Sequence, residues 1–110
     1  MDQLRSQPMN NKDITEVSTL ITKDLGLVES ELIALDSVDA FKNKLTNIIR
    51  YLLDKDFEAL LRAMYRIDIN EEKLKAVLAT ASPEEVAPNL ASLIIAREMQ
   101  KVETRRKYKS

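Results

Sequence analysis

Arg97, Lys101 and Arg105 stand four residues apart in the run REMQKVETRRKYK, and Tyr108 follows three residues after Arg105. On a helix, residues spaced by three or four share a face, so these side chains form one cationic ridge that ends in an aromatic ring. Such a ridge can neutralise phosphates and offer a surface on which a base stacks. Arg106, Lys107 and Lys109 raise the local charge density further. Arg97, Lys101, Arg105, Arg106, Lys107 and Lys109 are therefore the candidate polyanion-binding residues. The commoner fate of such charges is structural: Arg97 can pair with a carboxylate such as Asp54, Asp56 or Asp68, and cations are favoured at a helix C-terminus by the backbone dipole.

The chain as a whole has 17 basic and 18 acidic residues and a net charge of -1, so it exerts no general pull on polyanions. From Arg97 to Ser110, six basic residues face only Glu98 and Glu103, and the preceding residues are correspondingly acidic. That asymmetry is the most suggestive functional feature of the composition.

Most catalytic chemistries lack their residues. With no His and no Cys the chain has no imidazole base, no thiol nucleophile and neither of the commonest zinc-ligand types. The single glycine, Gly26, rules out a glycine-rich phosphate loop. No Ser, Thr, Lys or Tyr has an adjacent base pattern, so the expectation is a protein that is not an enzyme and needs no cofactor or metal. The carboxylate groups Asp54, Asp56 and Glu58, and Asp68, Glu71 and Glu72, suit helix caps and first turns better than acid-base pairs or calcium loops. Tyr51, Tyr65 and the methionines could line a pocket. Tyr65 and Met64, however, fall on an apolar helical face, where a partly buried tyrosine and a core methionine are expected.

These residues need helices to position them. Phe57, Leu60, Leu61, Met64 and Tyr65 recur at helical spacing, and Ile67-Asp68-Ile69-Asn70 breaks the pattern with residues that prefer turns. Asn70 is a good N-cap, Glu71 and Glu72 suit a first turn, and Leu74, Val77, Leu78 and Ala81 supply a second apolar face. Phe57 to Ala81 thus reads as helix, tight corner and helix, the core that the rest of the chain covers. The corner invites comparison with a DNA-binding helix-turn-helix, but its second helix would lead into the groove with Glu71 and Glu72, which phosphates repel.

Upstream, Met1 to Lys12 is polar and reads as a mobile tail. Asp13 and Glu16 fit a capping box, Ile14, Val17, Ile21 and Leu25 follow at helical spacing, and Gly26 fits a left-handed terminator; the β-branched TEVSTLIT also admits an extended segment. Leu27 to Asp36 is a short helix or a packed connector. Val38, Phe41, Leu45, Ile48 and Leu52 define the cleanest amphipathic helix, begun by Asp36 or Ser37, with Ile49 and Leu53 widening its stripe. Ser82-Pro83-Glu84-Glu85 signals another start. Pro88 then predicts a turn and restart, or a kink, before a helix from Asn89 to about Thr104 whose second half protrudes as a charged arm.

Two runs, LLRAMYRIDINEEKLK and LIIAREMQK, resemble small all-helical bacterial proteins of unassigned function. That resemblance spans the second half of the chain and implies an all-helical fold, with no site residues to carry over.

The expectation is a single all-α domain: a bundle of four or five helices over 13–104, between a tail at 1–12 and a basic tail at 105–110. No signal-peptide pattern or membrane span is visible, which fits a cytoplasmic protein. The leading functional expectation is an interaction module that binds a protein partner, perhaps itself, since apolar faces occur on nearly every helix. The alternative is an accessory nucleic-acid binder that uses the basic arm.

Overall fold

The computed structural model describes residues 10–27 and 37–109. The connector reading for Leu27 to Asp36 lies outside the described residues, apart from Leu27 itself. Among the described residues there are five helices and no strand: α1 (Asn11–Leu25), α2 (Val38–Lys55), α3 (Phe57–Ile67), α4 (Glu71–Thr80) and α5 (Pro83–Lys109). They form one all-helical bundle.

Local chemistry sets the boundaries. α1 begins earlier than Asp13. The Asn10 side chain accepts from the Asp13 amide at 2.8 Å, and the Asp13 carboxylate accepts from the Asn10 amide at 3.1 Å, closing a capping box three residues upstream of the expected one. Asn is at least as good an N-cap as Asp, so the helix takes an extra turn from the supposed tail. At its other end Gly26 has φ 68°, and the Leu27 amide reaches the Thr22 carbonyl at 2.9 Å. This is the left-handed termination that a glycine permits. α1 is helical in spite of its β-branched content, because Ile14, Val17 and Ile21 bury one face against the other helices.

Ser37 caps α2, Asp56 both ends α2 and caps α3, and Asn70 caps α4, each side chain accepting from an amide three residues on. The corner between α3 and α4 turns on Asp68, which has φ 68° and whose amide bonds the Met64 carbonyl. A left-handed Asp is strained relative to glycine, though less so than most residues. Phe57 begins α3 at 42% exposure rather than in the core, although it lies on the same helical face as Leu60, Met64 and Ile67.

α5 corrects two expectations. It runs unbroken for 27 residues through Pro88, so the turn and restart, one of the two alternatives expected there, does not occur. The carbonyl that Pro88 leaves without its partner belongs to Glu84, an exposed first-turn residue whose oxygen water can satisfy, so one lost bond does not end the helix. α5 also packs against all four other helices, whereas α4 packs chiefly on α5. The bundle is therefore organised around its last helix rather than around Phe57 to Ala81. Ala87, Leu90, Ala91, Ile94 and Val102 of α5 are buried with Phe41, Leu45 and Ile49 of α2, Ile14, Val17 and Ile21 of α1 and Leu60, Met64 and Ile67 of α3. No helix among the described residues is long and apolar enough to cross a membrane.

Candidate functional site

The flank of α5 beside its buried stripe carries the ridge seen in the spacing. Arg97, Lys101, Thr104, Arg105 and Tyr108 line one open groove of about 660 Å³. Tyr108 is 79% exposed at its far end, while Arg97 and Lys101, both half-buried, form the end nearest the bundle.

Electrostatically the groove is less cationic than its sequence suggests. Arg97 Nη2 lies 3.3 Å from the Asp68 carboxylate, and Arg97 Nε donates to the Asp68 carbonyl at 3.1 Å. The arginine therefore clamps the α3–α4 corner, and Asp68 is one of its three anticipated carboxylate partners. Lys101 Nζ lies 3.6 Å from Glu98 and 4.0 Å from Asp24, a residue at the end of α1. Arg66 of α3 seals the same place by donating twice to the Asp24 carbonyl, at 3.0 and 2.8 Å. Arg105 and Lys107 are exposed. The Lys109 side chain lies outside the described residues.

Arg106 points elsewhere. Its guanidinium sits 2.9 Å from Asp13 and 3.1 Å from Glu16, and these carboxylates raise its pKa above the ordinary arginine value. The segment expected as a protruding basic tail is thus continuous helix to Lys109, and Arg106 ties it to the first turns of α1. Of the six candidate polyanion-binding residues, three line the groove and one is turned to another face.

Beneath the groove lies a residue that the charge ridge hid. Glu98 is fully buried, and neither of its carboxylate oxygens makes a hydrogen bond within normal geometry. Burial, followed by the neighbouring Asp24 carboxylate, pushes its pKa up to about 8, and Lys101 opposes the shift without cancelling it. The raised pKa favours the neutral form of Glu98 at neutral pH. A signal for it was present: Glu98 continues the stripe Ala87, Ala91, Ile94 and Val102 at helical spacing, so a charged residue type interrupts an apolar face.

The remaining candidates resolve into structure. Glu58 pairs with Arg62 at 4.0 Å, Asp54 with Lys55 at 3.5 Å, Asp56 is a cap, and Glu71 and Glu72 occupy the first turn of α4. Among the described residues no three metal-ligating side chains gather. Met64 is core, as expected, but Tyr65 is 71% exposed, not partly buried. It stands one residue past the centre of the α3 stripe, at the rim of a shallow recess of about 90 Å³ shared with Leu61, Ile69 and Leu74. Tyr51 is also exposed. Compared with known proteins, the chain matches no family model, no curated protein and no solved structure.

Proposed function

We propose that this protein is a non-enzymatic helical interaction module, and that it holds an acidic segment of a protein partner in the groove of α5. The observation that carries the reading is the joint lining of that groove by Arg97, Lys101, Arg105, Thr104 and Tyr108. Tyrosine and arginine are the side chains that most often anchor protein interfaces, because each gives a large contact area together with hydrogen-bonding groups. Arg105 and Tyr108 are exposed and available, while the stems of Arg97 and Lys101 supply the apolar wall.

A nucleic-acid partner is the weaker reading on electrostatic grounds. Affinity for a polyanion grows with the number of phosphates neutralised, and Arg97, Lys101 and Arg106 already face carboxylates. With Glu98 neutral, the three cations of the groove stand against Asp24 and Asp68, which leaves one net positive charge. That suits one or two carboxylates better than a phosphate backbone. A cytoplasmic setting accords with the cysteine-free composition.

The test is fluorescence anisotropy with a labelled glutamate-rich helical peptide and a labelled mixed-sequence oligonucleotide, each at low and at physiological salt. The peptide should bind, and Arg105→Ala or Tyr108→Ala should each weaken it by about tenfold, the loss typical of an interface anchor. Failure of the peptide to bind, or indifference to both substitutions, would overturn the reading. Tighter binding of the oligonucleotide at physiological salt, with a steep salt dependence, would transfer the groove to nucleic acid. Sedimentation of the unlabelled protein separately tests whether the partner is a second copy of the chain.

A further inference from the structure

The Glu98 cluster has a definite place in the fold. Its carboxyl is enclosed at the α1–α5 seam, Lys101 Nζ stands 3.6 Å from it, and the same ammonium reaches Asp24 at 4.0 Å while lining the groove. One basic side chain therefore faces two carboxyl groups on its inner side and the groove on its outer side. No hydrogen-bond donor within normal geometry compensates a negative charge on Glu98.

The charged groups around it come from several elements. Asp24 belongs to α1 and Lys101 to α5 itself, and both act on Glu98 directly. Arg66 of α3 is engaged by the Asp24 carbonyl, and Asp68, in the corner after α3, by Arg97. Among the described residues, the charged side chains of α2 and α4 are exposed apart from the half-buried Lys42, and none of them is a cause of the perturbation at Glu98.

We propose that Glu98, Asp24 and Lys101 form a one-proton lock beneath the groove: neutral Glu98 holds α1 against α5 and leaves Lys101 to the partner, and its ionisation weakens the seam and cancels the groove's net positive charge. The physical basis is the cost of a buried charge. An ionised Glu98 has one ammonium shared with a second carboxylate and no other compensation, so the buried cluster carries excess negative charge. Part of this inference, the effect on the partner, rests on the groove being the binding face; the effect on folding does not.

The sign follows from linkage. In the folded protein the Glu98 pKa rises from the ordinary carboxyl value of 4.5 to about 8. Between these values the folded state holds a proton that the unfolded state has released, so stability is greatest below the lower value, falls as pH rises, and levels off above the higher one. The unfolding constant should grow by up to about tenfold per pH unit across that window. The chain offers an unusually clean background, because it has no histidine. Apart from the α-amino group, no group with an ordinary pKa titrates in the upper part of that window, between about pH 6 and 8.

The test combines three readouts on the full chain: urea unfolding between pH 5 and 9, carbon-13 titration of the glutamate side-chain carboxyls, and anisotropy of the glutamate-rich peptide. It compares the wild type with Glu98→Gln, which is neutral at every pH, and with Asp24→Asn. In the wild type one glutamate should titrate far above the others, and stability should decline with rising pH. Glu98→Gln should remove both effects, and Asp24→Asn should move the high titration downward, because the Asp24 charge is one of its causes. Peptide affinity should fall by about fivefold as Glu98 ionises, the scale of one partly exposed charge, and should stay level in Glu98→Gln.

A Glu98 that titrates with the other glutamates, or an equal pH slope of stability in Glu98→Gln, would overturn the lock. The carbon-13 and Asp24→Asn arms decide the matter even if Glu98→Gln folds poorly. If the lock is seen but no peptide binds at any pH, the groove reading fails and the proton site stands. If the peptide binds with an affinity independent of pH, the coupling between the two is wrong.

Discussion

Leu78 of α4 is 42% exposed, whereas Glu98 of α5 is fully buried. By residue type the order should be reversed, since leucine is among the most buried side chains and glutamate among the least. The difference lies in what surrounds each helix. α4 packs chiefly against one neighbour, has only Leu74 and Val77 half-buried, and contains no fully buried residue. α5 packs against four helices, so its inward face is enclosed along most of its length, and whatever residue falls on that face is enclosed with it. Tertiary position outweighs side-chain preference in both helices, and the cost appears where the enclosed residue can carry a charge.

The sharpest way to break this comparison is to delete the same atoms from both helices. Leu90→Ala on α5 removes a side chain that is 1% exposed, and it should lower stability by about 3 kcal/mol through lost transfer energy and the cavity left behind. The same change at Leu78 should cost under about 0.5 kcal/mol, as for most surface positions. Urea denaturation of both variants measures the two values. Comparable losses would mean that α4 contributes as much to the core as α5, and the organising role assigned to the last helix would be wrong.

A smaller effect of opposite sign is expected from filling the Glu98 site with an apolar side chain of similar length. Buried charges can often be replaced by well-packed hydrophobic residues with no loss, or with a gain, in stability. Above the Glu98 pKa of about 8, Glu98→Met should therefore stabilise the bundle, by about 2 kcal/mol. Near pH 5, where the folded wild type holds the proton, the gain should largely vanish. Thermal melts at the two pH values check this, and a penalty at both would show that the carboxyl is better compensated than its geometry suggests.

What was legible in the sequence divides along the same line. Caps and apolar spacing are local, so α2, α3, the Asn70 cap and the Pro83 start could be read directly from residue types. The ridge of Arg97, Lys101 and Arg105 with Tyr108 was legible too, because it needs only one continuous helix. Its partners were harder. Asp68 was one of three equal choices for Arg97, and the approach of Arg106 to Asp13 and Glu16 joins residues at opposite ends of the chain. No local pattern encodes that contact. Asn10 to Lys12 read as tail because two possible capping boxes, Asn10 with Asp13 and Asp13 with Glu16, overlap within seven residues, and the central role of α5 is hidden because Pro88 suggests an interruption. Glu98 was visible only as one negative charge among positive ones until its neighbours enclosed it.

The corner where α3 hands over to α4 gives the finest test, because there Arg97 of α5 grips both the carboxylate and the carbonyl of Asp68. Asp68 has φ 68°, a conformation that glycine adopts freely and that costs most other residues about 1 kcal/mol. It also accepts Arg97 on both its carboxylate and its carbonyl. Asp68→Gly relieves the backbone strain and loses only the exposed carboxylate pair, keeping the carbonyl for Arg97. These contributions are each small and opposed, so the stability of this variant should stay close to that of the wild type. Asp68→Ala loses the same pair while keeping an unfavourable φ without a short polar side chain to ease it, and it should be less stable than the glycine variant by about 1 kcal/mol. Denaturation midpoints of the two variants, measured side by side, isolate the backbone term, since the ion pair is absent from both. If alanine proved as stable as glycine, the left-handed turn would not be what sets the corner. The clamp by Arg97 would then be the feature that holds α4 in place.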